Sequence, residues 1–147
     1  MKGFRSIVML LVMAIAVFTV GCSGAPKVEG PLYSAEELTQ IETATAAVEE
    51  MKERMLGIPP LVQQRDWDNV STYIHGPLGE MRQRMIRLAL QLKPDRLKRE
   101  AQQVARDVFG HLEEIDLATR EQDSTRALKN YNEAQRDFNA FLELIPG

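Results

Sequence analysis

Apolar residues recur at three- and four-residue steps through most of the chain beyond residue 34, and the phase of that repeat predicts four amphipathic helices. Ser34, Ala35, Glu36 and Glu37 fit a capping box, with the serine hydroxyl taking the third amide and Glu37 reaching back. Leu38, Ile41, Thr45, Val48, Met51 and Met55 then mark the inner face of the first helix. Gly57, expected in a left-handed cap position, and Pro59-Pro60 end it. A second helical stretch runs from about residue 60 to 92, with Ile74, Leu78, Met81, Met85, Leu88 and Leu92 as its stripe and a kink or short break expected at Gly76-Pro77.

Pro94 suits a first helical position and Asp95 the positive start of a third helix, whose stripe is Leu97, Ala101, Val104, Val108, Leu112 and Ile115. Asp123 or Ser124 caps a fourth, with Leu128, Tyr131, Ala134, Phe138, Phe141 and Ile145 inward and Pro146 at its end. No useful stretch alternates with period two, so strands are not expected. Four helices of about 22 to 33 residues with short connections imply an all-α fold, an antiparallel up-down-up-down four-helix bundle.

The pattern before residue 34 is different. Lys2 and Arg5 precede residues 7–20, a fourteen-residue run whose only polar member is Thr19. A basic start, an apolar run and small residues at its end describe a secretory signal. As a helix the run would rise only ~21 Å, short of the ~30 Å hydrocarbon core, so a permanent span is the poorer reading. Gly21 before Cys22 resembles the lipobox of bacterial lipoproteins, in which the cysteine is diacylated and becomes the first mature residue; Thr19 departs from the leucine preferred there. An ordinary signal cut elsewhere, with Cys22 incidental, is the competing reading. Residues 23–33, SGAPKVEGPLY, hold two glycines, two prolines and no helical period, which marks a flexible tether reaching at most ~36–40 Å. The expected organisation is therefore a signal peptide over residues 1–21, a lipidated tether over 22–33 and the bundle over 34–147.

Cys22 is the only cysteine, which leaves no disulfide framework and no paired-thiol redox or metal motif. Removing the signal takes away Lys2 and Arg5 and leaves 16 basic against 21 acidic residues, a net charge of −5 that gives no reason to expect nucleic acid as a partner. A di-iron bundle needs two Glu-x-x-His motifs; His111 and Glu114 give only the reversed order, and His75 lies 36 residues away. Methionine or histidine could ligate a haem, but Met81 and Met85 fall on the core stripe. Neither a nucleophile elbow nor a glycine-rich phosphate loop is present, so no enzyme, cofactor or metal is expected.

Two features suggest a contact surface. The segment DWDNVSTYIHGPLGEMR, residues 66–82, combines the only tryptophan, a histidine and the Gly-Pro break. Trp67 and Tyr73 would pack at the bundle end or offer an aromatic contact, with His75 beside the kink; the plainer alternative is a core tryptophan and a locally bonded histidine. Arg82, Arg84, Arg87, Lys93, Arg96, Lys98 and Arg99 place seven positive charges within eighteen residues. Pairing with Glu36, Glu37 or Glu143 would make them a solvated end; otherwise Arg82, Arg84, Arg87 and Arg96, with Trp67 and His75, form the candidate partner-binding set.

IHGPLGEMR (residues 74–82) and DFNAFLELIP (residues 137–146), in this order and with the lipobox-like start, resemble the PsbQ family in its cyanobacterial lipoprotein form. The resemblance covers residues 32–146. It implies a non-catalytic extrinsic subunit of photosystem II on the lumenal side of the thylakoid membrane, stabilising the oxygen-evolving complex and its retention of calcium and chloride without ligating manganese. The implied partners are lumenal and extrinsic subunits of the photosystem, with the membrane reached through the lipid anchor; the basic cluster would meet acidic lumenal surfaces or anionic headgroups. The contrasting reading is a periplasmic lipoprotein bundle binding a small ligand or metal between its helices, which would require inward-facing polar side chains.

Overall fold

The Ser34 hydroxyl accepts from the Glu37 amide at 3.2 Å and the Glu37 carboxylate accepts from the Ser34 amide at 2.9 Å, so the capping box opens the first helix as expected. The computed structural model describes residues 30–146, which form six helices and no strand. They are α1 (Ala35–Met55), α2 (Ile58–Gln63), α3 (Trp67–His75), α4 (Met81–Gln91), α5 (Asp95–Glu121) and α6 (Ser124–Glu143). The signal sequence, Cys22 and most of the tether lie outside the described residues.

The expected second helix is three helices. The Gly76-Pro77 break is present between α3 and α4, and a further break at residues 64–66 separates α2 from α3. At the latter Arg65 takes a left-handed φ of 58°, with Arg65 N–H donating to Val62 O and Asp66 N–H to Leu61 O. This is a Schellman closure built on arginine, so no glycine marked it in the sequence. Gln122, φ 57°, ends α5 in the same way, with Gln122 N–H on Thr119 O and Asp123 N–H on Ala118 O. Asp123 then caps α6 by accepting from the Arg126 amide at 3.0 Å. Pro94 is the cap residue before α5 rather than its first helical residue, and α6 ends at Glu143, before Pro146.

Gly57 is not left-handed: its φ of −72° is right-handed, and it joins α1 to α2. Glycine is required there by a neighbour. A β-carbon at 57 would stand 2.6 Å from the Tyr73 ring, whose hydroxyl donates to Arg54 O at 2.8 Å. Gly57→Ala should therefore displace the ring and destabilise the protein by ~1 kcal/mol, since loss of packing and of one hydrogen bond outweighs the entropy gained by removing glycine. Thermal melts of Gly57→Ala in wild-type and Tyr73→Leu backgrounds check this: the cost should vanish in the second.

Helix neighbours are set by the apolar faces. The α5–α6 pairing is the most extensive, and α1 packs on α4, α4 on α5, and α3 on α5. Between α5 and α6, Glu114 meets Arg126, His111 meets Asn130 and Glu133, and the same histidine reaches Asp137. Partners recede along α5 as they advance along α6, so the two run antiparallel. All six stripe residues from Ile74 to Leu92 are buried, as are Ile41, Val48, Met51, Met55, Val108, Ile115, Phe138 and Phe141. Phe109 and Ala105 also belong to this one apolar core, while Leu38 stays 41% exposed and Thr45 and Ile145 are only partly covered, against the expected stripes.

Tyr33, the last position of the expected tether, is buried. Its hydroxyl accepts from the Lys93 amide at 2.6 Å and donates to Lys93 O at 2.8 Å, while Lys93 Nζ pairs with Glu37 at 2.6 Å. The α4–α5 connection and the start of α1 thus share one end.

Candidate docking surface

The turn between α3 and α4 walls a groove near the expected contact residues. Pro77 has no amide for the Tyr73 carbonyl, so that carbonyl accepts from Leu78 N–H instead, at 3.3 Å, and the chain swings out of the helix. Gly79 N–H then bonds Gly76 O; a β-carbon at 79 would stand 2.6 Å from the His75 carbonyl, so the turn closes only on glycine. Leu78 drops into the core at 3% exposure. Its neighbours Ile74, Phe109 and Leu112 floor a groove of about 490 Å³ between this turn and α5.

The rim is polar and internally paired. Arg82, the second residue of α4, lies 4.6 Å over the Phe109 ring and donates to Glu113 at 2.6 Å. Across from it Asp116 of α5 is 6% exposed. One of its oxygens accepts from the Ser71 hydroxyl at 2.9 Å and lies 3.3 Å from His75 Nε2; the other accepts from Arg120 at 2.6 Å. Burial pushes the Asp116 carboxyl up, but the Ser71 and Arg120 hydrogen bonds and the His75 and Arg120 charges outweigh it, leaving the group below the ordinary aspartate value.

This carboxylate fastens α3 to α5, and its lowered value makes that fastening pH-dependent. A folded-state pKa below the unfolded one contributes stability above the unfolded value that is lost as pH falls through the folded one. Asp116→Ala would strand Ser71 and Arg120 and should cost roughly 1–3 kcal/mol at neutral pH. In urea titrations Asp116→Asn should narrow its gap to wild type as pH drops through the carboxylate range; a constant gap would show that the charge is irrelevant.

Of the expected contact residues, the fold brings His75 and Arg82 together on this groove. His75 is exposed and its hydrogen bond is to Asp116 on another helix, 41 positions away, rather than local. Trp67 is half-buried against the core at the start of α3 and does not line the groove. Arg84 is held by Glu80 at 2.8 Å, and the Arg84 hydrogen bond and charge hold the Glu80 carboxyl below its usual value, helped by the charges of Arg54 and Arg87. Arg87 and Arg96 are exposed and make no ion pair among the described residues. The basic cluster is therefore divided between the groove, the outer side of α4 and the Lys93 end.

Asp116, Ser71 and Arg120 escaped the sequence reading. Asp116 directly follows the buried Ile115, and a carboxylate at that inward phase was the available signal. His111 was read only for metal spacing; it lies within 3.5 Å of Asn130, Glu133 and Asp137 on α6 and ties the two long helices together. Among the described residues no group of three or more histidine, cysteine or carboxylate side chains is placed to hold a metal, and every buried side-chain polar atom has a partner. The polar rim of the groove is thus paired within the protein, through Arg82–Glu113 and the Ser71, His75 and Arg120 contacts of Asp116.

The chain is 36% identical over 151 residues to CyanoQ of Synechocystis sp., covering 99% of this chain and 98% of the relative. The profile of PsbQ, described as oxygen evolving enhancer protein 3, matches residues 4–146. A match across almost the whole length, containing both the Gly-Pro turn and the α6 terminus, leaves one conclusion: the chain belongs to the PsbQ family.

Proposed function

We propose that this protein is a non-catalytic extrinsic subunit on the lumenal side of photosystem II, where it stabilises the oxygen-evolving complex and supports its retention of calcium and chloride. Family membership over nearly the full length carries the reading. The antiparallel helix neighbours support an up-down-up-down four-helix bundle in which α2, α3 and α4 together make the second rod. Such a scaffold suits a subunit that works by contact. The bundle would follow a signal peptide over residues 1–21 and a tether over 22–33 lipidated at Cys22, placing it on the thylakoid membrane.

The contrasting ligand- or metal-binding lipoprotein needs polar groups facing inward. Among the described residues the buried polar ones are Asp116, Thr119 and Asn130, and each is hydrogen-bonded within the protein. That weighs toward the photosystem subunit.

Mildly solubilised thylakoids, resolved on a density gradient, test the proposal: the chain should co-migrate with photosystem II and not with free protein. The triple reversal Arg84→Glu, Arg87→Glu, Arg96→Glu probes the docking side. It should leave the complex at lower salt than wild type, because exposed charges steer association and are screened. Release at the same salt would move docking to the His75–Arg82 groove or another face; absence of the wild-type chain from the photosystem fractions would overturn the function itself.

A further inference from the structure

Apolar positions that the helical repeat directs inward are left uncovered along the seam between α1 and α6. Leu38 is 41% exposed, and Leu142 and Ile145 are only partly buried. The two helices meet over a short stretch, and beside it runs a groove of about 580 Å³. Its walls are Leu38, Thr45 and Ala46 of α1, Leu142 of α6, and Ile145 and Pro146 just beyond that helix.

The charged side chains on this groove are all acidic: Glu42 and Glu49. Seven positions apart on α1, they stand on one face about 10 Å from each other along the axis. Neither makes an ion pair among the described residues, whereas Glu113, Glu114, Asp116 and Glu121 of α5 are each held by an arginine. The carbonyl end of α6 adds partial negative charge, and no basic residue occupies its last turn. Among the described residues, an apolar trough with negative edges and a negative helix pole thus has no cation lining it.

We propose that this seam receives a basic amphipathic segment of a partner protein, its apolar side chains covering Leu38 and Ile145 and its lysines or arginines pairing with Glu42 and Glu49. A helix laid in the trough, with basic residues one or two turns apart, matches both spacings. Anionic lipid is the wrong chemistry, because headgroup phosphates would face two carboxylates and a helix C-terminus. The inference goes beyond the photosystem reading and rests on the seam alone.

The test uses the full chain and a fluorescent synthetic peptide of roughly 18 leucine and lysine residues patterned as an amphipathic helix, long enough to be helical when bound. Fluorescence anisotropy should show binding that weakens about tenfold or more in Glu42→Lys/Glu49→Lys, two exposed pairs being lost and reversed. Leu38→Ser/Ile145→Ser should weaken it too. The charge-matched control Glu100→Lys/Asp107→Lys should stay within about twofold of wild type, separating a site from general attraction to an acidic protein. A peptide with glutamate for lysine should not bind. Failure of the lysine peptide to bind the wild-type chain, or equal weakening in the seam and control variants, would overturn the proposal. So would seam-dependent binding of phosphatidylglycerol vesicles, which makes the occupant lipid, or a concentration-dependent dimer lost in the seam variants, which makes it a second copy. Circular dichroism of each variant checks the fold; Leu38, Glu42, Glu49, Glu100 and Asp107 are exposed and Ile145 is only partly buried.

Discussion

Phe138→Ala should destabilise the protein by ~3–5 kcal/mol, more than any exposed substitution considered above. Phe138 is completely buried in the C-terminal half of α6, one of the two helices of the most extensive pairing in the fold. Removing its ring takes away the transfer free energy of the side chain and leaves a cavity that the flanking α5 and α6 backbones, held together by the Arg126 and His111 interactions, cannot collapse to fill. Against a total stability of ~5–15 kcal/mol such a loss is severe. For a domain of this size it corresponds to a fall in thermal midpoint on the order of 10–20 °C. Leu38→Ala, at a position of the same repeat that the fold leaves exposed, should shift the midpoint far less, within roughly what surface substitutions cost. Calorimetry of the two variants measures the difference; equal effects would mean that the seam beside Leu38 is packed as tightly as the core.

That contrast also shows where sequence periodicity stops being informative. A three-and-four repeat reports that a helix has an apolar face, and the long helices α1, α5 and α6 were legible for that reason, together with the Ser34 and Asp123 caps. It does not report which stretches of the face find a partner helix. Leu38 and Ile145 carry the same signal as Val48 and Phe138, yet only the latter pair is fully covered. Breaks follow a similar logic. Gly76-Pro77 announces itself because proline has no amide to donate, whereas the turn at residues 64–66 depends on Arg65 accepting a left-handed conformation that most sequences would give to glycine. Gly57 is the reverse case: it suggested a left-handed cap but answers to the Tyr73 ring, a contact across sixteen positions that no local rule encodes. The candidate surface was half legible. Histidine and arginine beside a helix break drew attention to His75 and Arg82, but Asp116, which organises that rim, comes from α5 and is joined to them only by the fold.

Cys22→Ser should leave the protein as an unprocessed precursor that keeps its signal sequence. The cysteine lies outside the described residues, and the expectation rests on its position after Gly21 at the end of the apolar run in residues 7–20. A serine hydroxyl cannot take the thioether-linked diacylglycerol, and without it a lipoprotein signal peptidase has no substrate. The energetics decide what the wild type should do. One acyl chain holds a protein to a bilayer only marginally, while two chains, at ~0.8 kcal/mol for each buried methylene, hold it stably. Attachment of that kind is hydrophobic and resists high salt, whereas pairing through Arg87 or Arg96 with anionic headgroups would be screened within a Debye length of ~3 Å at 1 M salt. Wild-type protein freed from the photosystem should therefore still pellet with membranes after a 1 M salt wash, the ionic strength at which that screening applies. Mass spectrometry should find a diacylated amino-terminal Cys22 in the wild type and an intact signal peptide in Cys22→Ser. A mature wild-type chain with an unmodified cysteine, or one beginning at another residue, would replace the lipid anchor with an ordinary cleaved signal. The buried Tyr33, bonded twice to Lys93, gives the anchor a structural consequence. A tether lipidated at Cys22 would join the domain at the end where α1 begins and α4 meets α5, the end that carries the Lys93–Glu37 pair.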